Sequence, residues 1–172
     1  MAGTLTVQNI EGPSSGANAN TVLIPSGQTL HAPGHVIQVV TNTYSTETTS
    51  GSTSYTDTGL TGTITPTSTS SKMLVLCNLC SAGVVQTSGA DAKGNYKLLR
   101  GSTDLMEALT RSYDYGNSGH IMFGQFLMSW LDSPSTTSAT TYKLQQKRVV
   151  GASIRICEGN LPSVMHLLEI AQ

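Results

Sequence analysis

The sequence predicts an all-β fold, a sandwich or a barrel, built around one domain. Short runs of Val, Ile, Thr and Tyr recur between Gly, Pro, Ser and Asn, and stripes of helical period are almost absent. The length of 172 residues is about that of a single domain. The charged fraction is 11%, less than half of the roughly 25% typical of soluble domains. Hydroxyl and amide groups must therefore carry much of the solvation of the surface.

Ten segments have the length and composition of β-strands. They are rich in β-branched and aromatic residues, and turn residues separate them. Threonine suits such strands because it is β-branched while its hydroxyl keeps a pleated surface wet. The Thr/Ser-biased segment 41–71 is expected to be partly loop. The predicted strands are residues 4–10, 21–24, 35–45, 61–65, 72–80, 96–101, 120–131, 140–148, 153–157 and 164–170.

The strand at 140–148 alternates between apolar and polar positions. Tyr142 and Leu144 alternate with Lys143 and Gln145, which is typical of a strand that has one face in water.

The strands at 72–80 and 120–131 are apolar at both odd and even positions. An antiparallel sandwich normally buries one face of each sheet, so a second apolar face indicates contact with another chain or another layer. We therefore expect a homo-oligomer. The residues expected to pack in the core or between subunits are Phe123, Phe126, Met128 and Trp130.

Residues 1–34 are predicted to form an N-terminal arm ahead of a β-sandwich domain at 35–172. The arm offers two short apolar strands between Gly, Pro, Ser and Asn turns, too little to bury a core alone. Pro33 and Gly34 are interpreted as the hinge. The residues expected to contact sister subunits or a partner are Leu5, Val7, Ile10, Val22 and Ile24.

No catalytic, metal or cofactor motif is recognisable. Cys77 and Cys80 form a CxxC in a β-run, where positions three apart face opposite sides of a sheet, and Cys157 is the one further thiol. We interpret them as buried small hydrophobes. There is no GxSxG, Walker-type loop or GxGxxG. We expect a non-enzymatic protein without cofactor or metal, although one His per subunit around a threefold axis would leave no sequence signal.

Charge and hydropathy exclude two classes of partner. The net charge is -1 and Lys and Arg are scattered singly, so no nucleic-acid footprint is expected. The first ten residues have neither a basic nor an apolar region of a secretory signal, and the apolar segment 121–131 is too short and interrupted to span a bilayer. We expect synthesis in the cytoplasm and no membrane partner.

The loop "RSYDYGNSGH" at 111–120 has two interpretations. Tyr113, Asp114, Tyr115 and Asn117 have the chemistry to stack on a sugar and hydrogen-bond to it. Alternatively the loop is an ordinary turn whose Gly and Asn residues permit positive φ angles, and the composition favours this interpretation.

Several phrases of the sequence resemble a known family. They are "YTDTGLTGTITPTSTSSKMLVLCNLC" at 55–80, "LLRGST" at 98–103, "LDSPSTTSATTYKLQ" at 131–145 and "HLLEIAQ" at 166–172, with "TLTVQNIEG" near the N-terminus. Together they are similar to a β-sandwich module of small structural proteins and tail-fibre proteins of tailed bacteriophages, notably those of marine bacteria and cyanobacteria.

The resemblance covers roughly residues 35–172 and implies a jelly-roll-like antiparallel sandwich, a homotrimer, and a place in the virion, with no catalytic residues to transfer. One implied role is a capsid decoration (cement) protein, with trimeric knobs on the head exterior and an arm that contacts the major capsid protein. The other is a tail-fibre component or tip that binds a host surface glycan. The lack of a long stem favours the cement role.

Overall fold

Two antiparallel sheets make up the larger of the two units into which the chain divides, Met1–His31 and Ala32–Gln172. The computed structural model describes residues 10–17, 19, 21–24, 26, 32–116 and 118–172. A single turn of 3-10 helix lies at Glu158–Asn160. The strands are β1 (Val36–Tyr44), β2 (Thr48–Ser50), β3 (Thr56–Ile64), β4 (Lys72–Ser88), β5 (Asp91–Arg100), β6 (Thr103–Tyr113), β7 (Ser118–Asp132), β8 (Thr140–Val150), β9 (Ser153–Ile156) and β10 (Ser163–Ile170).

The strand order is that of a jelly roll. In sheet 1 the first half of β4 lies between β10 and β7, which gives the order β1-β10-β4-β7, and the short strands β9 and β2 continue the sheet beside the second half of β4. Sheet 2 has the order β3-β8-β5-β6. Chain-adjacent strands such as β4 and β5, or β6 and β7, lie in different sheets, as in a double Greek key. The predicted all-β antiparallel sandwich is confirmed.

The core fills the space between the two sheets. Alternation places every second side chain inside in β10, in the first half of β4 and in most of β5 and β8, because successive residues of a strand point to opposite faces. The largest of these side chains are fully buried. They include Met73, Leu79, Tyr96, Leu98, Tyr142, Leu144, Met165 and Leu167.

Threonine hydroxyls attach β3 to β8. Thr58 donates to the backbone oxygen of Leu144 at 2.9 Å, and Thr61 donates to that of Tyr142 at 3.0 Å. These bonds flank an interruption of the β3–β8 register between Asp57 and Thr61. At this bulge Gly59 has a φ of 96°, and a Cβ at this position would lie 2.5 Å from the ring of Tyr44. Glycine is therefore required there by both backbone and packing.

Two strands, β2 and β6, were not predicted, others were predicted too short, and residues 21–24, predicted as a strand, do not form one. β6 was not predicted because its centre, residues 105–109, consists of Leu, Met, Glu and Ala, which are better helix formers than strand formers. Pairing with β5 along its whole length overrides that propensity. β4 continues past the predicted end at residue 80, through a bulge at which Ser81 has a φ of 45°. Segment 41–71, expected to be partly loop, contains the end of β1, β2 and all of β3.

A buried polar triad closes one end of the sandwich. Arg100 donates to both carboxylate oxygens of Asp132, at 2.8 and 2.7 Å, and the Tyr142 hydroxyl donates to the same carboxylate at 2.8 Å. The three residues belong to β5, β7 and β8, so the triad joins the two sheets. Burial and the bond to Asp132 raise the pKa of Tyr142, which therefore stays a neutral donor.

A second buried carboxylate anchors the serine- and threonine-rich loop at 65–71. Glu169 is fully buried and accepts hydrogen bonds from the backbone N–H and the hydroxyl of Thr67, at 2.7 and 2.8 Å, and from Gln38 at 2.6 Å. Gln38 also donates to the backbone oxygen of Thr65 at 2.8 Å. Burial alone would raise the pKa of Glu169, but the bonds from Gln38 and Thr67 outweigh it and lower the pKa.

We expect Gly59→Ala to lower the free energy of unfolding by about 2–5 kcal/mol. A left-handed backbone costs a non-glycine residue about 1–2 kcal/mol, and displacement of the Tyr44 ring adds about 1–3 kcal/mol. Gly101→Ala is the matched control, because Gly101 has a φ of 56° but no atom within 4 Å of the added Cβ. Urea unfolding should show a clearly smaller loss for Gly101→Ala, and equal losses would contradict the role of Tyr44.

We expect Glu169→Gln to lower the free energy of unfolding at pH 7 by about 1–3 kcal/mol, since a charged acceptor of buried donors is lost. A carboxylate whose folded pKa is lowered stabilises the fold above its unfolded value, about 4.3, and loses that contribution as the pH falls through the folded pKa. The difference between wild type and variant should therefore narrow at pH 3. Glu11→Gln, at an exposed position, should change nothing at either pH. A difference that is the same at both pH values would contradict this assignment.

Candidate interaction face

The outer surface of sheet 1 carries a regular array of side chains across β1, β10, β4 and β7. The strand registers align it in three rows of four. We name this array the uncharged face, because it contains no Asp, Glu, Lys or Arg. The first row is Val39, Leu168, Leu74 and Leu131; the second is Thr41, His166, Leu76 and Ser129; the third is Thr43, Val164, Asn78 and Leu127.

The apolar side chains of the flanking strands β1 and β7 are exposed, and those of β10 and β4 between them are partly exposed. Leu127 is 69% exposed, and Val39 and Leu131 are each 56% exposed. Along β7 the surface extends to Ile121, which is 63% exposed. Isolated exposed aliphatic residues are ordinary, but a continuous array on one sheet marks a surface that contacts something.

Polar groups lie within this array and are tied to one another. His166 and the Thr41 hydroxyl are 2.9 Å apart, and Gln125 donates to the side-chain oxygen of Asn78 at 2.9 Å. Together with Leu76 and Leu127, three of these residues line a shallow depression on the face. Pairing of these polar groups lowers the cost of removing them from water.

The outer surface of sheet 2 has the opposite character. We name it the charged face. It carries an ion pair between Lys143 and Asp57 at 3.1 Å and a cluster in which Lys97 lies 3.2 Å from Glu107. Lys97 also contacts Tyr55: the Nζ of Lys97 lies 4.1 Å from the centroid of the Tyr55 ring. Nine of the chain's 19 charged residues (9 basic and 10 acidic) lie on or beside this face: Asp57, Asp91, Lys93, Lys97, Asp104, Glu107, Arg111, Lys143 and Lys147.

The partition of charge distinguishes the two faces. A protein with few charges places nearly half of them on one sheet and none on the matching rows of the other; Lys72 lies just beyond the border of the uncharged face. The charged face is suited to water, and the uncharged face to a dry contact. The array can therefore bind another protein surface.

The edge of sheet 1 beside this face is long and unguarded. Within the described part of the chain, β7 pairs with β4 alone, so its other edge presents free backbone N–H and C=O groups. Its 15 residues contain no Lys, Arg, Glu or Pro, and their one carboxylate is the terminal Asp132. Soluble proteins usually protect such edges with charge, proline or a covering segment, because an open edge pairs with other chains.

The residues that the sequence singled out in β7 separate between the two sides of sheet 1. Met128 is fully buried, and Phe126 packs against the core with its ring 6.2 Å from that of Tyr96. Phe123 lies on the outer side, 5.9 Å from the Arg155 guanidinium. Trp130 is on the inner side by alternation but remains 40% exposed. The assignment of these residues to contacts between subunits stays a prediction.

The predicted arm residues are exposed where the structure describes them. Ile10 is 69% exposed, Val22 is 49% exposed and Ile24 is 45% exposed. Leu5 and Val7 lie outside the described residues. Their predicted role as contacts to a partner remains a prediction.

The loop after β6 presents two exposed tyrosines. Tyr115 is 94% exposed and lies edge-to-face with Tyr113, with their ring centroids 5.0 Å apart. The carboxylate of Asp114 accepts bonds from the Gly116 backbone N–H at 3.0 Å and the Ser118 hydroxyl at 2.8 Å, and these bonds lower its pKa. Asp114 thus stabilises the turn, while the tyrosines remain open to a ligand. Asn117 lies outside the described residues.

The cysteines have the geometry of separate thiols. Cys77 is fully buried in the core, and burial raises its pKa to about 12. Cys80 is partly exposed, and Cys157 is buried with its Sγ 3.2 Å from the hydroxyl of Ser163. Across the described ranges, no group of three His, Cys, Asp or Glu residues is placed to hold a metal ion. In the same part of the chain, no helix has the length and hydropathy needed to cross a bilayer.

Half of the uncharged face is predictable from the sequence pattern, and the other half is not. The apolar outer positions of β4 and β7 were recognised, whereas those of β1 and β10 were not. A signal was present in β10, where Val164, Leu168 and Ile170 alternate with the buried Met165 and Leu167. The sequence therefore indicates that both faces of this strand are apolar, but it does not indicate that the strand lies beside β4.

No family model and no curated protein matches this sequence. Among solved structures, dimeric latent PorU from Porphyromonas gingivalis overlaps 89% of this chain with a TM-score of 0.41 and 8% identity, and this chain spans only 15% of that one. The tripod from the baseplate of bacteriophage Tuc2009 overlaps 99% of this chain and 82% of its own, with a TM-score of 0.33 and 10% identity. The infectious bursal disease virus Gt strain structure overlaps 88% of this chain and 42% of its own, with a TM-score of 0.30 and 11% identity. These values are too low to assign a family, an activity or a partner.

Proposed function

We propose that this protein is a non-enzymatic structural protein of a virion, and specifically a trimeric capsid decoration protein that binds and stabilises the phage head shell. The observation that carries the proposal is the partition of charge, which leaves one sheet face of a rigid jelly roll suited to protein contact. The resemblance of residues 35–172 to phage β-sandwich modules supplies the setting. The proposal requires no reaction, only binding.

In this role the two units of the chain have different tasks. The β-sandwich domain associates with sister copies, and the arm at 1–34 contacts the major capsid protein through Leu5, Val7, Ile10, Val22 and Ile24. Apolar side chains and free backbone groups in such an arm can add to a neighbouring sheet edge. Each copy that binds the assembled shell more tightly than its free subunits stabilises the shell by mass action.

A second function, a tail-fibre component or tip that binds a host surface glycan, is favoured by one observation. Tyr113 and Tyr115 form an exposed aromatic pair beside Arg111, whose guanidinium lies 5.7 Å from the Tyr113 ring. Exposed aromatic rings on a rigid β scaffold are suited to stacking on sugars.

Copy number per particle separates the two roles. For a decoration protein we expect an amount near that of the major capsid protein, because every capsomer offers an equivalent site. Quantitative mass spectrometry of purified particles measures this ratio directly. A few tens of copies or fewer would place the protein in the tail and direct attention to Tyr113 and Tyr115. Absence from particles would refute both roles.

Removal of residues 1–30 should leave a folded, associated domain that no longer attaches to particles. The expectation follows from the division of the chain at residue 31 and from the closed core of the larger unit. Co-sedimentation with particles that lack the protein tests attachment, and circular dichroism tests folding. The full-length chain is the positive control. A truncated chain that still binds would show that the arm is not the capsid contact.

A further inference from the structure

We propose that the uncharged face and the adjoining edge of β7 are covered by a second copy of this chain. This inference deepens the proposed function, on which it rests for its setting, by assigning the surface through which copies associate. Three features of sheet 1 favour self-association over a different partner: the absence of charge in the rows, the area of the face and the open edge of β7.

The first reason is the neutrality of the face. Where identical subunits meet close to a symmetry axis, equivalent residues come close together, so a charge at the axis meets a copy of itself. A like-charge contact of this kind is costly in a dry interface. The three rows avoid it completely, because they contain aliphatic, hydroxyl and amide side chains and one histidine. A partner chosen by charge complementarity would need charges in these rows, and this chain instead places nine of its 19 charged residues on or beside the opposite face.

The second reason is the area. Four strands about 4.8 Å apart, with the extension along β4 and β7 at about 3.3 Å per residue, cover roughly 600 Å² in projection. Side chains that protrude as far as Leu127 and Leu131 make the accessible area larger than its projection. A stable interface of standard size takes about 800 Å² from each partner. The face is thus large enough for a stable contact between copies without any contribution from the arm.

The third reason is the edge of β7. Its free N–H and C=O groups adjoin Leu127 and Leu131, so a copy packed over the face also shields the edge from indiscriminate pairing. The chain provides no charged or proline guard of its own along this edge. Protection by assembly explains how such an edge persists in a protein of low charge.

Polar groups in the face give the contact a defined orientation. The His166 and Thr41 pair lies in the second row, and the Asn78 and Gln125 pair lies beside the third. A purely aliphatic surface would tolerate many relative orientations, whereas polar groups must find partners or remain at a wet rim. The first row, which is wholly aliphatic, is then the dry part of the contact.

The test compares two surface leucines of matched exposure. Leu127 on the uncharged face is 69% exposed, and Leu109 on the outer side of β6 in sheet 2 is 62% exposed. Sedimentation equilibrium of the full chain should show an oligomer for wild type and for Leu109→Lys. Leu127→Lys should weaken association by about tenfold or more, the effect of losing one well-packed contact and placing like charges together. A monomeric wild type, or equal behaviour of the two variants, would overturn the inference.

A cross-linking experiment keeps the proposal testable if Leu127→Lys fails to fold. Ser129→Cys introduces a thiol of similar size on the uncharged face, and Thr141→Cys does so at an exposed position on sheet 2. With a short bifunctional maleimide, and wild type as the background for Cys80, inter-chain products should form for Ser129→Cys and not for Thr141→Cys. The reverse pattern would place the contact on sheet 2 and contradict the inference.

The outcome is distinguishable from that of the proposed function. An oligomer that Leu127→Lys disrupts, in a protein absent from particles, would support the inference while refuting the virion role. A wild-type chain that is monomeric in solution, yet near stoichiometric with the shell on particles, would refute the inference while supporting the virion role.

Discussion

The structure depends above all on the pairing of β4 with two sets of neighbours. This strand of 17 residues pairs with β7 along nearly its whole length, while β10 and β9 share its other edge. Its inner residues Met73, Val75, Cys77 and Leu79 are fully buried and supply much of the core. β4 is paired along both edges, and its inner side chains pack in the core. Its outer face is therefore the side that remains open to a partner, and it forms the centre of the uncharged face.

The chain has few charged residues, and hydrogen bonds from hydroxyl groups stabilise this architecture in their place. Hydroxyl groups make hydrogen bonds that charged groups make in other proteins. They donate across β3 and β8, and the Ser68 hydroxyl accepts a bond from the Ser70 backbone N–H in its turn. The Thr67 hydroxyl donates to the buried carboxylate of Glu169. Nearly half of the charged residues lie on or beside sheet 2, where ion pairs such as Lys143 with Asp57 lie in solvent and contribute little to stability. A surface solvated in this way can be repeated many times side by side without strong mutual repulsion.

Much of the fold was readable from the sequence because the strands that matter most have strong patterns. The alternation in β8 predicted which residues are buried, and Tyr142 and Leu144 are fully inside. The two apolar faces of β4 and β7 predicted a second contact surface. β6 could not be predicted, since its helix-forming residues become a strand only through pairing with β5. β1 and β10 belong to the uncharged face because of the order of strands in the sheet, which the local sequence pattern does not predict.

The site is harder to derive than the fold for a physical reason. A catalytic site can be recognised by residue types with specialised chemistry, whereas a contact surface consists of the same leucines and valines as a core. Leu74 and Met73 are adjacent and equally apolar, yet Met73 lies inside the sandwich and Leu74 on its outer surface. What distinguishes them is the neighbourhood that the register creates, namely Leu168 and Leu131 beside Leu74. A continuous apolar row of this kind marks a surface that contacts something, and the proposed self-association rests on this row whatever place the protein has in a virion.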